Sequence, residues 1–125
     1  MNVGLTFDAG ALIALERRRQ RVAQIYAVAA SSGVIVTAPV AAIAEWWRGR
    51  NDVRERILHG VRIEPMDADL ARRAGEALAA VRGSTTVDAI VMASAARRGD
   101  RVITSDVGDL ERLRDFFPDV RVLSV

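Results

Sequence analysis

Short β-branched runs alternate with amphipathic stretches along this chain, and that alternation predicts a sheet interleaved with helices. Val3 to Phe7 reads as a buried strand, and Ala11 to Leu15 begins a helical pattern. Val22 to Ala30 is a second amphipathic stretch, closed by Gly33 as a left-handed stop. Val34 to Thr37 is another strand-like run. Pro39 then fits the first turn of a helix reaching about Arg48, with Gly49 behind it. Arg50 to Leu58 reads as a short charged helix, and Val61 to Glu64 as a strand closed by Pro65. Asp67 suits the N-cap of a helix from Ala68 to Val81, which Gly83 ends. Thr85 or Thr86 caps the next helix, which runs to Arg98 before Gly99. Arg101 to Thr104 is a strand, Asp106 to Phe116 a helix, and Val120 to Leu123 a last strand.

Strands separated by helices imply a mostly parallel sheet covered on both faces, a three-layer α/β/α arrangement. The 125 residues suit one domain, 1–125, able to bury roughly two thirds of its unfolded surface without a staple. No repeat, low-complexity segment or linker interrupts it. In such folds, sites form beyond the carboxyl ends of the strands.

The absences in the composition narrow the chemistry. All 18 basic side chains are arginine, cysteine is absent, and His59 is the one histidine. Without lysine there is no phosphate-loop lysine and no Schiff-base nucleophile. Without cysteine there is no thiolate, disulfide or thiol-bound zinc. One histidine cannot make a multi-imidazole site, and His59 itself is expected to do no chemistry. Carboxylates are left to carry any catalysis. The net charge of +2 is modest. The apolar N-terminus is interrupted by Asp8 and is too short to cross a bilayer, so no membrane association and a cytoplasmic location are expected.

Most of the 16 acids sit beside arginines or at helix starts, as Glu55 and Glu111 do. Four stand in apolar company: Asp8 after the first strand, Glu45 before Trp46 and Trp47, Asp88 opening a long helix, and Asp106 after a late strand, with Asp109 three residues on. Each has a plain structural explanation. Asp8 and Asp106 could cap the helices that follow them, Asp88 could complete a capping box with Thr85, and Glu45 could pair with Arg48. Together they suggest more, because all four positions can converge on one end of a parallel sheet. Two unit charges ~4 Å apart repel by ~4 kcal/mol at an effective dielectric of ~20. A divalent cation resolves that conflict, and an all-oxygen set favours magnesium or manganese.

With these residues in view, the chain resembles the PIN-domain ribonucleases, most of all the VapC-type toxins of toxin–antitoxin pairs. The segments that carry the resemblance are LTFDAGALIAL, the Glu within VAAIAEWWRG, TTVDAIVMASAARRGD and RVITSDVGDL. The resemblance implies a PIN-like fold in which Asp8, Glu45, Asp88 and Asp106 are catalytic acids. These four and the auxiliary acid Asp109 would be metal ligands for Mg²⁺, with Mn²⁺ able to substitute. Gly10 stands where many relatives carry Ser or Thr, and Thr104 and Ser105 are candidates for hydroxyl contacts near Asp106. The implied activity is endonucleolytic RNA cleavage leaving 5′-phosphate and 3′-hydroxyl ends. The implied partners are an RNA substrate, a VapB-like antitoxin that blocks the site, and a second copy in a homodimer.

Charge fits an RNA substrate. Setting those five acids aside leaves eleven against eighteen arginines, a surplus of seven positive charges. Arginines gather at 17–21, 48–56 and 97–101, where guanidinium groups suit phosphate. Trp46 and Trp47 point about 100° apart on a helix, so at least one belongs to the core. Receiver domains and haloacid-dehalogenase-like phosphatases also use strand-end aspartates, but they rely on a lysine this chain lacks. The alternative reading is a PIN-like module that binds RNA or protein without cutting.

Overall fold

The structure is a computed structural model that describes residues 3–125. Five strands form one sheet: β1 (Leu5–Phe7), β2 (Val36–Pro39), β3 (Arg62–Glu64), β4 (Arg101–Thr104) and β5 (Val122–Ser124), in the order β3-β2-β1-β4-β5. Every pairing is parallel, with Leu5 opposite Val36 and Thr6 opposite both Thr37 and Val102. The helices are α1 (Ala9–Glu16), α2 (Gln20–Ser31), α3 (Val40–Trp46), α4 (Asp52–Gly60), α5 (Ala68–Ala80), α6 (Thr86–Arg98) and α7 (Val107–Arg112).

Side chains alternate across β1 with period two, and this divides the layers. Thr6 faces α6 and bonds its Arg98, whereas Phe7 faces the opposite side, its ring 6.2 Å from that of Tyr26 on α2. Both are fully buried. α6 is apolar nearly all round, with Ala89 to Ala95 all buried, because it crosses the middle of the sheet beneath α5. Its ends are set by chemistry the sequence displays. Thr85 Oγ1 accepts the Asp88 N–H at 3.1 Å, and Gly99, at φ +73°, takes the left-handed turn that closes the helix.

Several boundaries differ from the sequence reading. The second strand runs over Val36–Pro39, not Val34 to Thr37, because pairing with β1 begins where Leu5 meets Val36. Pro39 is extended (φ −65°, ψ 149°) and precedes α3 instead of opening its first turn. α3 stops at Trp46, two residues short of Arg48: Trp46 is 2 % exposed and its indole N–H donates to Glu16 at 2.8 Å, while Trp47 is already extended. The stretch from Asp106 to Phe116 divides into α7 and a 3₁₀ turn at Leu113–Asp115, and the last strand begins at Val122. No helix among the described residues is long and apolar enough to cross a membrane.

At the far end of α6 from Asp88 lies a buried polar knot. Arg98 reaches Glu64, Asp100 at 2.9 Å, Thr6 Oγ1 at 2.8 Å and Ser94 Oγ at 2.9 Å. Thr6 also donates to Asp100 at 2.9 Å, and Arg97 spans Glu64 and the α5 cap Asp67. Glu64 and Asp100 are 8 % and 6 % exposed, so both carboxylates depend on these guanidiniums for compensation. The arginines at 97–101 were among those read as suited to phosphate. Arg97 and Arg98 are instead bound into the fold, because burying Glu64 and Asp100 demands cations there.

Candidate active site

Two strands and two helices deliver acids to the carboxyl end of the sheet. Asp8 follows β1 directly and Asp106 lies two residues beyond β4, its neighbour; α6 begins there with Asp88, and α3 carries Glu45. Asp8 is 8 % exposed and held at both oxygens. One accepts the Ala11 N–H at 2.8 Å and so caps α1; the other accepts the Thr104 hydroxyl at 2.5 Å. The same Thr104 hydroxyl accepts the Asp106 N–H at 2.9 Å. One side chain therefore fixes the ends of β1 and β4 relative to each other.

The electrostatics join the remaining acids to this pair. Burial, opposed by those hydrogen bonds and reinforced by the charges of Asp88 and Asp106, pushes the Asp8 carboxyl up to about 6. Asp88 is half-buried and also raised, chiefly by burial and further by Asp109, Glu45 and Asp106. Asp106 and Asp109 share a hydrogen bond that raises the first and lowers the second, and Arg112 pairs with Asp109 at 2.6 Å. Thus Asp8, Asp88 and Asp106 form a mutually repelling set, and Glu45 and Asp109 enter it through Asp88.

Among the described residues, none of Asp8, Glu45, Asp88 and Asp106 forms an ion pair, although the chain carries 18 arginines and, besides Arg112–Asp109, forms nine arginine–carboxylate couples elsewhere. Two of the plain explanations are thereby removed. Asp106 makes no side-chain cap on α7, and Arg48 bonds the carbonyls of Ala44 and Trp47 in place of Glu45. Asp8 does cap its helix, and the Asp88 N–H does meet Thr85, so for these two the local role and membership of the cluster coexist. No three of the described acidic or histidine side chains already stand at ligating distance of a common point. Asp106 turns instead to Asp109, which is itself paired with Arg112. The donor set itself, oxygen only, anionic and partly desolvated, fits a hard divalent cation.

Gly10 occupies a tight place beside this cluster. A Cβ there would lie 2.2 Å from Ser105 Oγ and 3.4 Å from Asp8 Oδ1. Ser105 thus fills the room that a hydroxyl side chain at position 10 would take. Ser105, a candidate for hydroxyl contact near Asp106, also stands beside Asp8, and the missing hydroxyl at Gly10 is the signal that could have shown it. Trp46 is core, and His59 Nδ1 sits 2.7 Å from the Glu55 carbonyl on an exposed face, away from the acids.

The family model for the PIN domain matches residues 5–115, most of the chain and a span that includes the positions of all five acids. The chain belongs to the PIN-domain family. PIN domains are generally nucleases and generally use divalent metal ions. Solved structures agree on the fold. A VapBC2 complex from Rickettsia felis, bound to a DNA fragment from its promoter, aligns over 97 % of this chain and 98 % of that one, with 10 % identity and a TM-score of 0.78. A DNA-bound VapBC from Salmonella typhimurium aligns over 98 % of both chains, with 15 % identity and a TM-score of 0.74. A toxin–antitoxin complex from Klebsiella pneumoniae aligns over 97 % of both, with 20 % identity and a TM-score of 0.69. No curated protein matches the sequence.

One consequence concerns the PIN domain without metal. Asp8 binds its proton more tightly when folded, at about 6, than at its ordinary 3.8. This group's contribution to stability is therefore greatest below about pH 3.8, falls as pH rises between those values, and levels off above about pH 6. The gap corresponds to at most roughly 3 kcal/mol. Asp8→Asn keeps an acceptor for the Ala11 N–H and removes the charge. Urea unfolding in EDTA at pH 4 and pH 7.5 is expected to show the variant gaining on the native chain at the higher pH by up to that amount. Equal pH dependence of the two proteins would contradict it.

Proposed function

We propose that this PIN domain is the toxin of a type II toxin–antitoxin pair and acts as a Mg²⁺-dependent endoribonuclease. The observation that carries the reading is the set of four carboxylates left without a cation at one end of the sheet, in an arginine-rich chain that pairs its buried acids elsewhere. Asp8 and Asp88 would hold the ion, with Glu45, Asp106 and Asp109 around it; Mn²⁺ is expected to substitute. Bound there, a divalent cation supplies Lewis-acid activation of water and neutralises charge on the scissile phosphate.

The chain's own groups supply the positioning. The Ala11 N–H and Thr104 hydroxyl fix both oxygens of Asp8, so its carboxylate does not reorient between turnovers. The raised affinities of Asp8 and Asp88 for protons mean that ligand binding displaces those protons, and occupancy should rise with pH through the region of about 6. The toxin assignment draws on the solved complexes, which pair a chain of this fold with an antitoxin. A VapB-like antitoxin, a homodimer and a cytoplasmic setting complete the proposal. Purified protein incubated with RNA is expected to cut internally in Mg²⁺ or Mn²⁺ and to stop in EDTA. Binding of RNA without cutting in either metal would favour the non-catalytic module.

A further inference from the structure

Two of the three arginine clusters are largely tied into the fold, leaving Arg56 and Arg101 exposed. Arg97 and Arg98 hold Glu64, Asp67 and Asp100. Arg54 pairs with Glu16 at 2.9 Å, Arg50 with Glu55 at 3.2 Å, and Arg48 with backbone carbonyls. The third cluster differs. Arg17 and Arg19 are exposed and, among the described residues, have neither an ion-pair nor a hydrogen-bond partner for their guanidiniums. They follow α1 in a turn where the Arg18 and Arg19 N–H groups return to the Leu15 and Ala14 carbonyls, both at 3.0 Å, and Arg18 takes a left-handed φ of +56°. Glycine is the inexpensive residue at such a position, so an arginine there is held against its backbone preference.

That turn brings Arg17 and Arg19 to the wall of one cavity of about 230 Å³, whose other walls include Gly10, Ser105, Ile13 and Ala14. Gly10 abuts Asp8, and Ser105 adjoins Asp106, so the cavity opens beside the carboxylate cluster. A cluster of acids repels a polyanion, and two unpaired guanidiniums with a hydroxyl beside it offset that repulsion where a neighbouring nucleotide would lie. Resting on the nuclease reading above, we propose that this cavity is a subsite for an RNA backbone phosphate adjoining the one that is cut. Arg17 and Arg19 provide its charge and Ser105 a hydroxyl donor. Gly10, having no Cβ, leaves the room in which the Ser105 hydroxyl sits between the acids and the arginines.

The test compares native protein with Arg17→Gln/Arg19→Gln and with Arg62→Gln/Arg121→Gln, which removes the same charge from exposed positions that do not line the cavity. Cleavage of a single-stranded RNA is followed in Mg²⁺, and binding of the same RNA by fluorescence anisotropy in EDTA. The cavity variant is expected to raise KM about tenfold with kcat within twofold, and to lower the slope of log affinity against log salt by ~0.7. The control should stay near native. Replacing backbone phosphates one at a time by methylphosphonate should expose one position that matters to the native protein and not to the cavity variant. Native cleavage with an unchanged KM and salt slope in the cavity variant overturns the subsite and leaves the nuclease standing. Arginine-dependent binding without cleavage keeps the subsite and overturns the nuclease. Neither binding nor cleavage by the native chain overturns both.

Discussion

Replacing Asp88 by Asn is expected to slow Mg²⁺-dependent RNA cleavage by ~10³-fold or more while leaving the protein folded. Asn preserves the shape of the side chain and, through the backbone, the bond between the residue 88 N–H and Thr85 Oγ1. What it removes is one of two partly desolvated charges that the fold leaves uncompensated. A metal ion's contribution to charge stabilisation at phosphorus is several kcal/mol, and ~4 kcal/mol is a thousandfold in rate. Asp8→Asn should cost as much, and the double variant little more, because both losses act on one ion. The same exchanges relieve repulsion in the metal-free protein, so thermal stability in EDTA should hold or rise. A fall in activity matched by a fall in stability would mark Asp88 as structural. Near-native cleavage by Asp88→Asn would remove it from the site.

The second large effect lies at the other end of α6. Arg98→Met should destabilise the protein by about 3–5 kcal/mol, the usual consequence of stripping a buried carboxylate of its partner. For a chain of 125 residues that is roughly 10–20 °C in Tm. The reason is local: Glu64 and Asp100 stay buried after the guanidinium is gone, and Thr6 and Ser94 lose a donor. Adding Glu64→Gln should recover part of the loss, since the penalty is an unpaired charge and not a missing contact. Asp88 and Arg98 are ten residues apart on α6, about 15 Å along its axis. The two ends of one helix thus show opposite treatments of buried charge, one paired with guanidiniums and one left without a cation. Equal thermal midpoints for Arg98→Met and the native chain would show that the knot adds no stability.

Much of this could be read from the sequence, and the reasons are particular. Asp67, Thr85 and Gly99 are helix boundaries whose chemistry is local, and each stands where expected. The parallel sheet followed from the alternation of elements. Boundaries that depend on partners did not emerge. Whether β2 starts at Val34 or Val36 is decided by its register with β1, and whether α3 ends at Trp46 is decided by Glu16, thirty residues earlier. The acids stood out because apolar neighbours surround them. Glu64 and Asp100 escaped notice for the converse reason: nothing in their flanking residues shows that Arg98 buries them both. Arginine clusters look alike in a sequence, and only the packing separates Arg97 and Arg98, consumed by ion pairs, from Arg17 and Arg19, which face a cavity.

The proposed activity requires that the open carboxylates share an ion. Crystals of the native chain grown with Mn²⁺, measured near the manganese absorption edge, locate the metal independently of any activity. Anomalous density is expected in contact with both Asp8 and Asp88, and none there in crystals of Asp8→Asn. Manganese bound only elsewhere on the surface, with these two carboxylates empty at millimolar metal, would contradict it.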